Sequence, residues 1–417
     1  MAKKKQALSP EERLAAALVP EEEWPYALPD GWKWVRIEKI FIDVTDSQKK
    51  IKQKEYLLKG KWPVIDQGQH FIGGYSDADE LIYTDELPVI IFGDHTRNVK
   101  YIDFQFIQGA DGVKVLKPQS FVYSKFLFWL LKGIPFPSLG YRRHYPVLKK
   151  MVAPLPPLDE QQRLVARIES LFAKLDAARE KVQSVLDSHE TRKAALLHDA
   201  FAGKLTAKWR REQGITFESW HSDTLKNLCE KITDGTHHSP PNAETGDYMY
   251  ITAKNIKETG IELDNVTYVT TAVHKEIYSR CDVQKGDVLY IKDGATTGIA
   301  TVNTLDEPFS LLSSVAVLRP HKDLLLSSYL KHLLNSAEQR SKMIRNMSGN
   351  AITRLTLSKI KATSIKVCSL PEQQEIIRIL DRLLAREQRA RQTAEETLTA
   401  IDRMKQAILA RAFRGEL

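Results

Sequence analysis

Cysteine is scarce in this 417-residue chain: only Cys229, Cys281 and Cys368 are present. They lie far apart, with no Cys-x-x-Cys pair and no flanking histidines, which argues against a disulfide framework and a zinc site. Long apolar runs are missing too, none approaching the roughly 18 residues of a membrane span. The opening MAKKKQALSPEERLAAALVPEEEWPYALP lacks the apolar centre of a signal peptide, so a cytoplasmic location is expected. There is no GxGxxG after a strand for a nucleoside cofactor and no GxxxxGK[ST] for ATP phosphates. Nor is there an Asn-Pro-Pro-Tyr/Phe or Asp-Pro-Pro-Tyr motif to orient a target amine; Ser239-Pro-Pro-Asn242 has the order wrong and reads as a loop turn. Gly73-Gly74 and Gly294-Ala-Thr-Thr-Gly298 read as tight turns, and Asp77, Asp79 and Glu80 as a solvated polar run rather than metal ligands. No metal site and no catalytic constellation is expected, so chemistry on a substrate would have to come from partner chains.

Charge is modestly one-sided. Lys and Arg number 61 against 53 Asp and Glu, a net +8 with a pI near 9.1. That balance favours an anionic partner without by itself marking nucleic acid.

What the chain does have is a duplicated stretch. EQQRLVARIESLFAKLDAAREKVQSVLDSHETRKAALLHDAFAGKL runs from Glu160 to Leu205, and EQQEIIRILDRLLAREQRARQTAEETLTAIDRMKQAILARAFRGEL from Glu372 to Leu417, at a constant offset of 212. The apolar beat is shared: Leu164, Ile168, Leu171, Leu175, Ala178, Val182 and Val185 match Ile376, Leu380, Leu383, Glu387, Ala390, Ala394 and Thr397. Alternating steps of four and three make the seam of a long helix that needs a partner helix. Prolines precede each copy (Pro156, Pro157; Pro371) and glycines close it (Gly203; Gly415). The economical expectation is an antiparallel pair about 65 Å long at roughly 1.5 Å per residue. With paired positions totalling 579, Arg192 meets Glu387, Ala178 meets Ile401, Val185 meets Ala394 and Leu196 meets Leu383. A total of 572 would set Val185 against Glu387 and Ala178 against Ala394, a buried charge and a void.

The remainder repeats as well. After a basic start, a short amphipathic helix (Pro10 to Leu18) and an acidic link, Leu28-Pro-Asp-Gly-Trp32 opens an alternating strand. Trp220 with Leu225 and Leu228 echoes Trp32 with Ile37 and Ile40 at an offset of 188. Short strands and turns follow in each segment. Val113-Lys-Val-Leu-Lys-Pro118 and Val315-Ala-Val-Leu-Arg-Pro320 match in kind, each preceding a helix, around Tyr123 to Leu131 and Leu324 to Asn335. The expected fold class is α+β: two similar β-rich domains separated by a long antiparallel two-helix coiled coil, a pseudo-two-fold repeat. Expected boundaries are an N-terminal arm 1–27, a first domain 28–156, a central helical region 157–208, a second domain 209–370 and a distal helical region 371–417.

This layout resembles the specificity subunits of type I restriction-modification systems. The likeness is carried by Leu28 to Trp32, by GDVLYIKDGATTG at Gly286 to Gly298, by the PLDEQQ and LPEQQ helix starts and by the AFAGKL and AFRGEL helix ends. The resemblance implies two target-recognition domains, each reading one half of a bipartite DNA sequence. It implies helices that set their separation and dock two modification (methyltransferase) subunits, joined in the larger assembly by two motor-nuclease restriction subunits. It also implies that this chain is not itself an enzyme, and that S-adenosylmethionine, ATP and Mg sit on partner subunits. An approximate two-fold repeat suits one polypeptide to hold two copies of a partner on double-stranded DNA.

Candidate DNA-binding residues follow from donor chemistry on loops, since phosphates call for Lys and Arg while base edges call for Arg, Asn, Gln, Lys, His, Ser or Thr. In the first domain these are Lys61; Gln67, Gln69 and His70 on a Gly-broken loop; His95, Arg97 and Asn98 at a strand end; and Arg142, Arg143 and His144 between Tyr141 and Tyr145. In the second they are His237 and His238, Lys254, Asn255, Lys292, Thr296, Thr297, Arg345, Asn350 and Arg354. Asn255 can instead close a turn and Arg345 pair along its helix. Two other classes compete with this reading: a coiled-coil scaffold with incidental charge, and a nuclease or methylase with an unfamiliar site.

Overall fold

The computed structural model describes residues 8–136, 142–345 and 355–417, which divide into two compact units. One contains the chain up to Gln183 together with Glu396–Leu417; the other is Ser184–Glu395. Each unit thus takes a recognition domain, the start of the long helix that follows it and the end of the other long helix.

In the first unit a four-stranded antiparallel sheet runs in the order Phe41–Asp43, Val113–Pro118, Val89–Gly93, Val99–Ile102. Its central strand Val-Ile-Ile-Phe-Gly is buried throughout, because both faces are covered. Ile90 and Phe92 face the helix Ser124–Gly133 through Phe126, Leu127 and Leu130. Val89 and Ile91 pack on the other side with Ile65, from a second, mixed sheet, and with Phe106, which precedes that sheet's strand Ile107–Gly109. The second unit repeats the plan. Cys229–Asp234, Val315–Pro320, Val288–Ile291 and Ala300–Val302 form its four-stranded sheet. Val288 and Tyr290 face the helix Ser327–Asn335, and Leu289 and Ile291 the other layer. Where the sequence suggests matching strands, they match in register: Lys33 pairs with Leu155 and His221 with Val367, at offsets of 188 and 212.

The long helices begin alike. Gln161 and Gln373, the middle residues of the two Glu-Gln-Gln motifs, are 1% and 0% exposed. The Gln161 amide accepts from the Tyr123 N–H (2.7 Å) and donates to the carbonyls of Phe121 (3.1 Å) and Pro156 (2.9 Å). Gln373 accepts from Leu326 and donates to Leu324 and Cys368, each at 2.9 Å. They end alike too: Gly203 and Gly415 take the left-handed conformation (φ 74° and 73°) that closes a helix, with Lys204 N–H reaching Asp199 O and Glu416 N–H reaching Arg411 O. Phe413 meets Phe126 edge to face at 5.7 Å, and Phe201 meets Tyr329 at 5.3 Å, in the same role within their own units.

The helices pair antiparallel. In the first unit Asp176 pairs with Lys405 (2.5 Å) and Arg179 with Asp402; in the second Arg192 pairs with Glu387 (2.8 Å). Arg192 and Glu387 total 579, the preferred register, and the other two pairs total 581, as charges flanking such a seam do. Two expectations need correction. Ala178, placed in the seam opposite Ile401, is exposed while Ile401 is buried, unlike the seam alanine Ala394, which is buried. The first long helix is also not continuous to Leu205: it breaks at Ser188 into Leu158–Asp187 and His189–Phe201. There the Ser184 carbonyl accepts from both the Ser188 hydroxyl (2.6 Å) and the Ser188 N–H (3.2 Å), and Arg192 Nη2 donates to Val185 O (3.1 Å), side-chain bonds of the kind that bend helices. The second helix, Leu370–Ala412, is unbroken.

The described part of the N-terminal arm, from Leu8 on, is docked. Ser9 and Glu12 cap the helix Pro10–Ala15 reciprocally. Beyond it Val19 N–H donates to Trp34 O and Arg36 N–H to Ala17 O, which adds the arm to the edge of the strand Lys33–Arg36, with Ala17 and Val19 buried. No helix among the described residues is long and apolar enough to cross a membrane. All three cysteines are free and buried, and burial pushes each thiol up to about 12. A thiolate reagent at pH 8 is therefore expected to label the native chain negligibly and all three sites once urea unfolds it; mass spectrometry of the labelled peptides checks this.

Candidate nucleic-acid interface

The hairpin loops at one corner of the four-stranded sheets gather many of the candidate residues. In the first unit the loop between Val89–Gly93 and Val99–Ile102 is tied to its neighbours by Gln67. The Gln67 carbonyl accepts from Thr96 Oγ1 (2.6 Å) and Asn98 Nδ2 (2.9 Å), its side chain accepts from His95 N–H (3.1 Å), and its Nε2 donates to Asp111 O (2.8 Å). Gln67, His95 and Asn98 are brought together, with Gln67 and Asn98 acting as loop ties. Arg97, at φ 60°, is exposed at the loop tip, a left-handed conformation rare outside glycine. Gln69 and His70 are exposed on the adjoining loop, whose His70 carbonyl accepts from the buried Lys100 Nζ at 2.6 Å. Burial lowers the Lys100 pKa. Lys61 is exposed but held by Asp79 at 2.8 Å, over the Trp62 ring.

Asp94, 6% exposed, organises this corner. Its backbone N–H donates to Gly112 O (2.7 Å), its carboxylate accepts from Tyr145 N–H (2.8 Å), and its carbonyl accepts from His144 N–H (2.7 Å). His144 Nδ1 lies 3.0 Å from the same carbonyl and the residue is 2% exposed. His144 therefore fastens the loop and presents no donor to a groove. Arg142 and Arg143 remain exposed, Arg143 within 3.9 Å of the Asp94 carboxylate. Tyr141 lies outside the described residues.

The second unit builds the corner differently. Lys292 stands where Asp94 stands in the first: its N–H donates to Ser314 O (2.9 Å), beside the matching strand pair. It is 6% exposed, its Nζ 2.7 Å from Asp293 and 3.5 Å from Asp234, so it neutralises carboxylates rather than offering itself to DNA. Thr297 is buried, its hydroxyl donating to Gly294 O (2.7 Å) to close the turn; Thr296 is exposed. Asn255, 6% exposed, accepts from Thr252 N–H (3.0 Å) and donates to Glu262 O (3.3 Å), the turn-closing alternative. Lys254 is exposed beside it on a hollow also lined by Asn242, Tyr250 and Asn265. His237 and His238 are exposed, His237 Nε2 lying 3.3 Å from Asp234. Arg345 is exposed at the end of the helix Ala337–Arg345, and Asn350 and Arg354 lie outside the described residues.

Sequence reasoning missed the carboxylates. Asp94 and Asp234 stand inside loops it singled out for donors, but their burial, which makes them organisers, has no sequence signal. It missed Arg280 for a different reason: this residue comes from a separate helix, Thr271–Arg280, and reaches Asp234 at 2.5 Å.

A family model described as the type I restriction modification DNA specificity domain matches residues 29–186 and again 218–398. The chain belongs to that family. Among curated relatives, the EcoKI specificity subunit of Escherichia coli strain K12 is 22% identical over 428 residues, covering 94% of this chain and 90% of the relative. The Escherichia coli EcoBI specificity subunit is 23% identical over 283 residues, covering 65% of this chain but only 59% of the relative. Among solved structures, a chain from work on assembly and conformational transition of the type I R-M system aligns with TM-score 0.65 at 20% identity, covering 94% of this chain and 100% of that one. The HsdS subunit from Thermoanaerobacter tengcongensis aligns with TM-score 0.55 at 19% identity, covering 95% and 100%. At these identities the structures establish a shared fold. The twofold occurrence of the specificity domain favours DNA specificity over a coiled-coil scaffold.

Proposed function

We propose that this chain supplies the DNA sequence specificity of a cytoplasmic type I restriction-modification complex, each of its domains reading one half of a bipartite target. The observation that carries this reading is the corner of the four-stranded sheet, built twice in equivalent backbone positions yet furnished with different side chains. A shared frame with unlike loops is what reading two different half-sites requires. The paired helices fix the span between the readers and dock two modification subunits, to which two motor-nuclease subunits add. S-adenosylmethionine, ATP and Mg belong to those partners, and this chain contributes recognition without catalysis. Methylome sequencing of cells expressing the chain with its modification partner tests the proposal: a two-part motif with an unread gap is expected, and modification without a consensus would reject it.

Phosphate contacts are separable by salt. The Arg142→Ala/Arg143→Ala variant of the assembled methyltransferase is expected to bind DNA more weakly, its log–log salt slope falling by about 1 for each arginine that meets a phosphate. An unchanged slope would remove this pair from the interface.

A further inference from the structure

The geometry points to Arg280 as a base-reading residue of the second domain, with Asp234 as the positioning residue that aims it; this rests on the DNA-specificity reading above. Asp234 is 2% exposed at the end of the strand Cys229–Asp234, whereas the Arg280 side chain is 51% exposed. Arg280 Nη2 donates to the Asp234 carboxylate (2.5 Å) and to Gly235 O (3.2 Å). Two acceptors on one nitrogen fix the plane of the guanidinium, and Nη1 has no protein partner among the described residues. With both Nη2 hydrogens engaged, the guanidinium is held at its back and Nη1 is left to donate to a single acceptor in a groove, such as O6 or N7 of a guanine in the major groove.

The surroundings agree. Arg280 adjoins the loop carrying His237 and His238, and at the buried end Lys292 faces both Asp293 and Asp234, so Arg280 supplies the second positive charge of the cluster while half of its side chain stays exposed. The corresponding corner of the first domain also sets an exposed arginine beside a buried aspartate, Arg143 with Asp94, from residues that are not equivalent in the chain. That pair is looser, at 3.9 Å with Arg143 75% exposed.

The test uses the chain with its modification subunits and a pool of randomised duplexes, comparing the sequences enriched by wild type, Arg280→Ala, Arg280→Lys and Asp234→Asn. Wild type is expected to enrich a two-part consensus. Both Arg280 variants should lose preference for one G·C pair in one half by about tenfold to a hundredfold and leave the other half intact. Asp234→Asn should weaken the same position by a smaller factor and no other. Recovery of the wild-type consensus by Arg280→Lys would overturn the role given to the aimed guanidinium, an equal loss at every position would make Arg280 a phosphate contact and overturn the inference, and so would an unaltered consensus in Arg280→Ala. A wild-type complex that enriches no consensus would sink the specificity reading itself, and the inference with it.

Discussion

Glu372→Ala is expected to destabilise the Ser184–Glu395 unit by about 3–5 kcal/mol, read as a shifted urea transition of the full chain. Glu372 is fully buried. Its carboxylate accepts from Arg210 Nη1 (2.5 Å), Thr206 Oγ1 (2.7 Å) and Trp220 Nε1 (3.0 Å). Arg210 is itself only 8% exposed and donates through Nη2 to Gly203 O (2.6 Å), which holds the end of the broken helix against the start of the other. Removing the carboxylate strands a buried guanidinium and leaves two further donors unpaired. Glu372→Gln should recover little, because the amide keeps the volume but not the charge. The matching residue Glu160 makes the control: its side chain is 27% exposed and its partner is Arg163, one turn along the same helix. Glu160→Ala is expected to cost less than about 1 kcal/mol. Equal losses at the two positions would overturn the buried-pair account.

The second large effect concerns the glutamines. Gln161→Ala and Gln373→Ala are each expected to cost on the order of 3 kcal/mol, since each strands one buried N–H and two buried carbonyls. A glutamate of the same size should be no better: an ionised carboxylate accepts only, and two of the three partners are carbonyls that also only accept. Similar losses for Ala and Glu would identify hydrogen bonding as the cause, whereas a wild-type transition in the Glu variants would assign the role to packing. The two glutamines share no partner, so in the double variant the losses should add.

Both latches were half visible beforehand. Glu-Gln-Gln after proline marked two helix starts, because proline fixes φ and lacks the N–H that a helix start leaves over. Nothing in those letters distinguished the exposed Gln162 from the buried Gln161, or Glu160 from Glu372. The loops gave the same experience. Donor-rich stretches were found, yet His144, Asn255, Lys292 and Thr297 proved to be buried fastenings, since a side chain fit to bond a base is equally fit to bond a nearby carbonyl or carboxylate.

The sequence by itself determined the repeat, the two long helices with their apolar seams and the alternation of strands with a packed helix, while the ion pairs of the structure chose between the two registers it left open. The first three depend on periodicities of two and about three and a half, which follow from local backbone geometry and survive divergence between the copies. Only the tertiary structure decided which polar side chains are hidden and which are presented. Burial depends on what another part of the chain brings to the same place, as Trp220, Thr206 and Arg210 are brought to Glu372 and a separate helix carries Arg280 to Asp234.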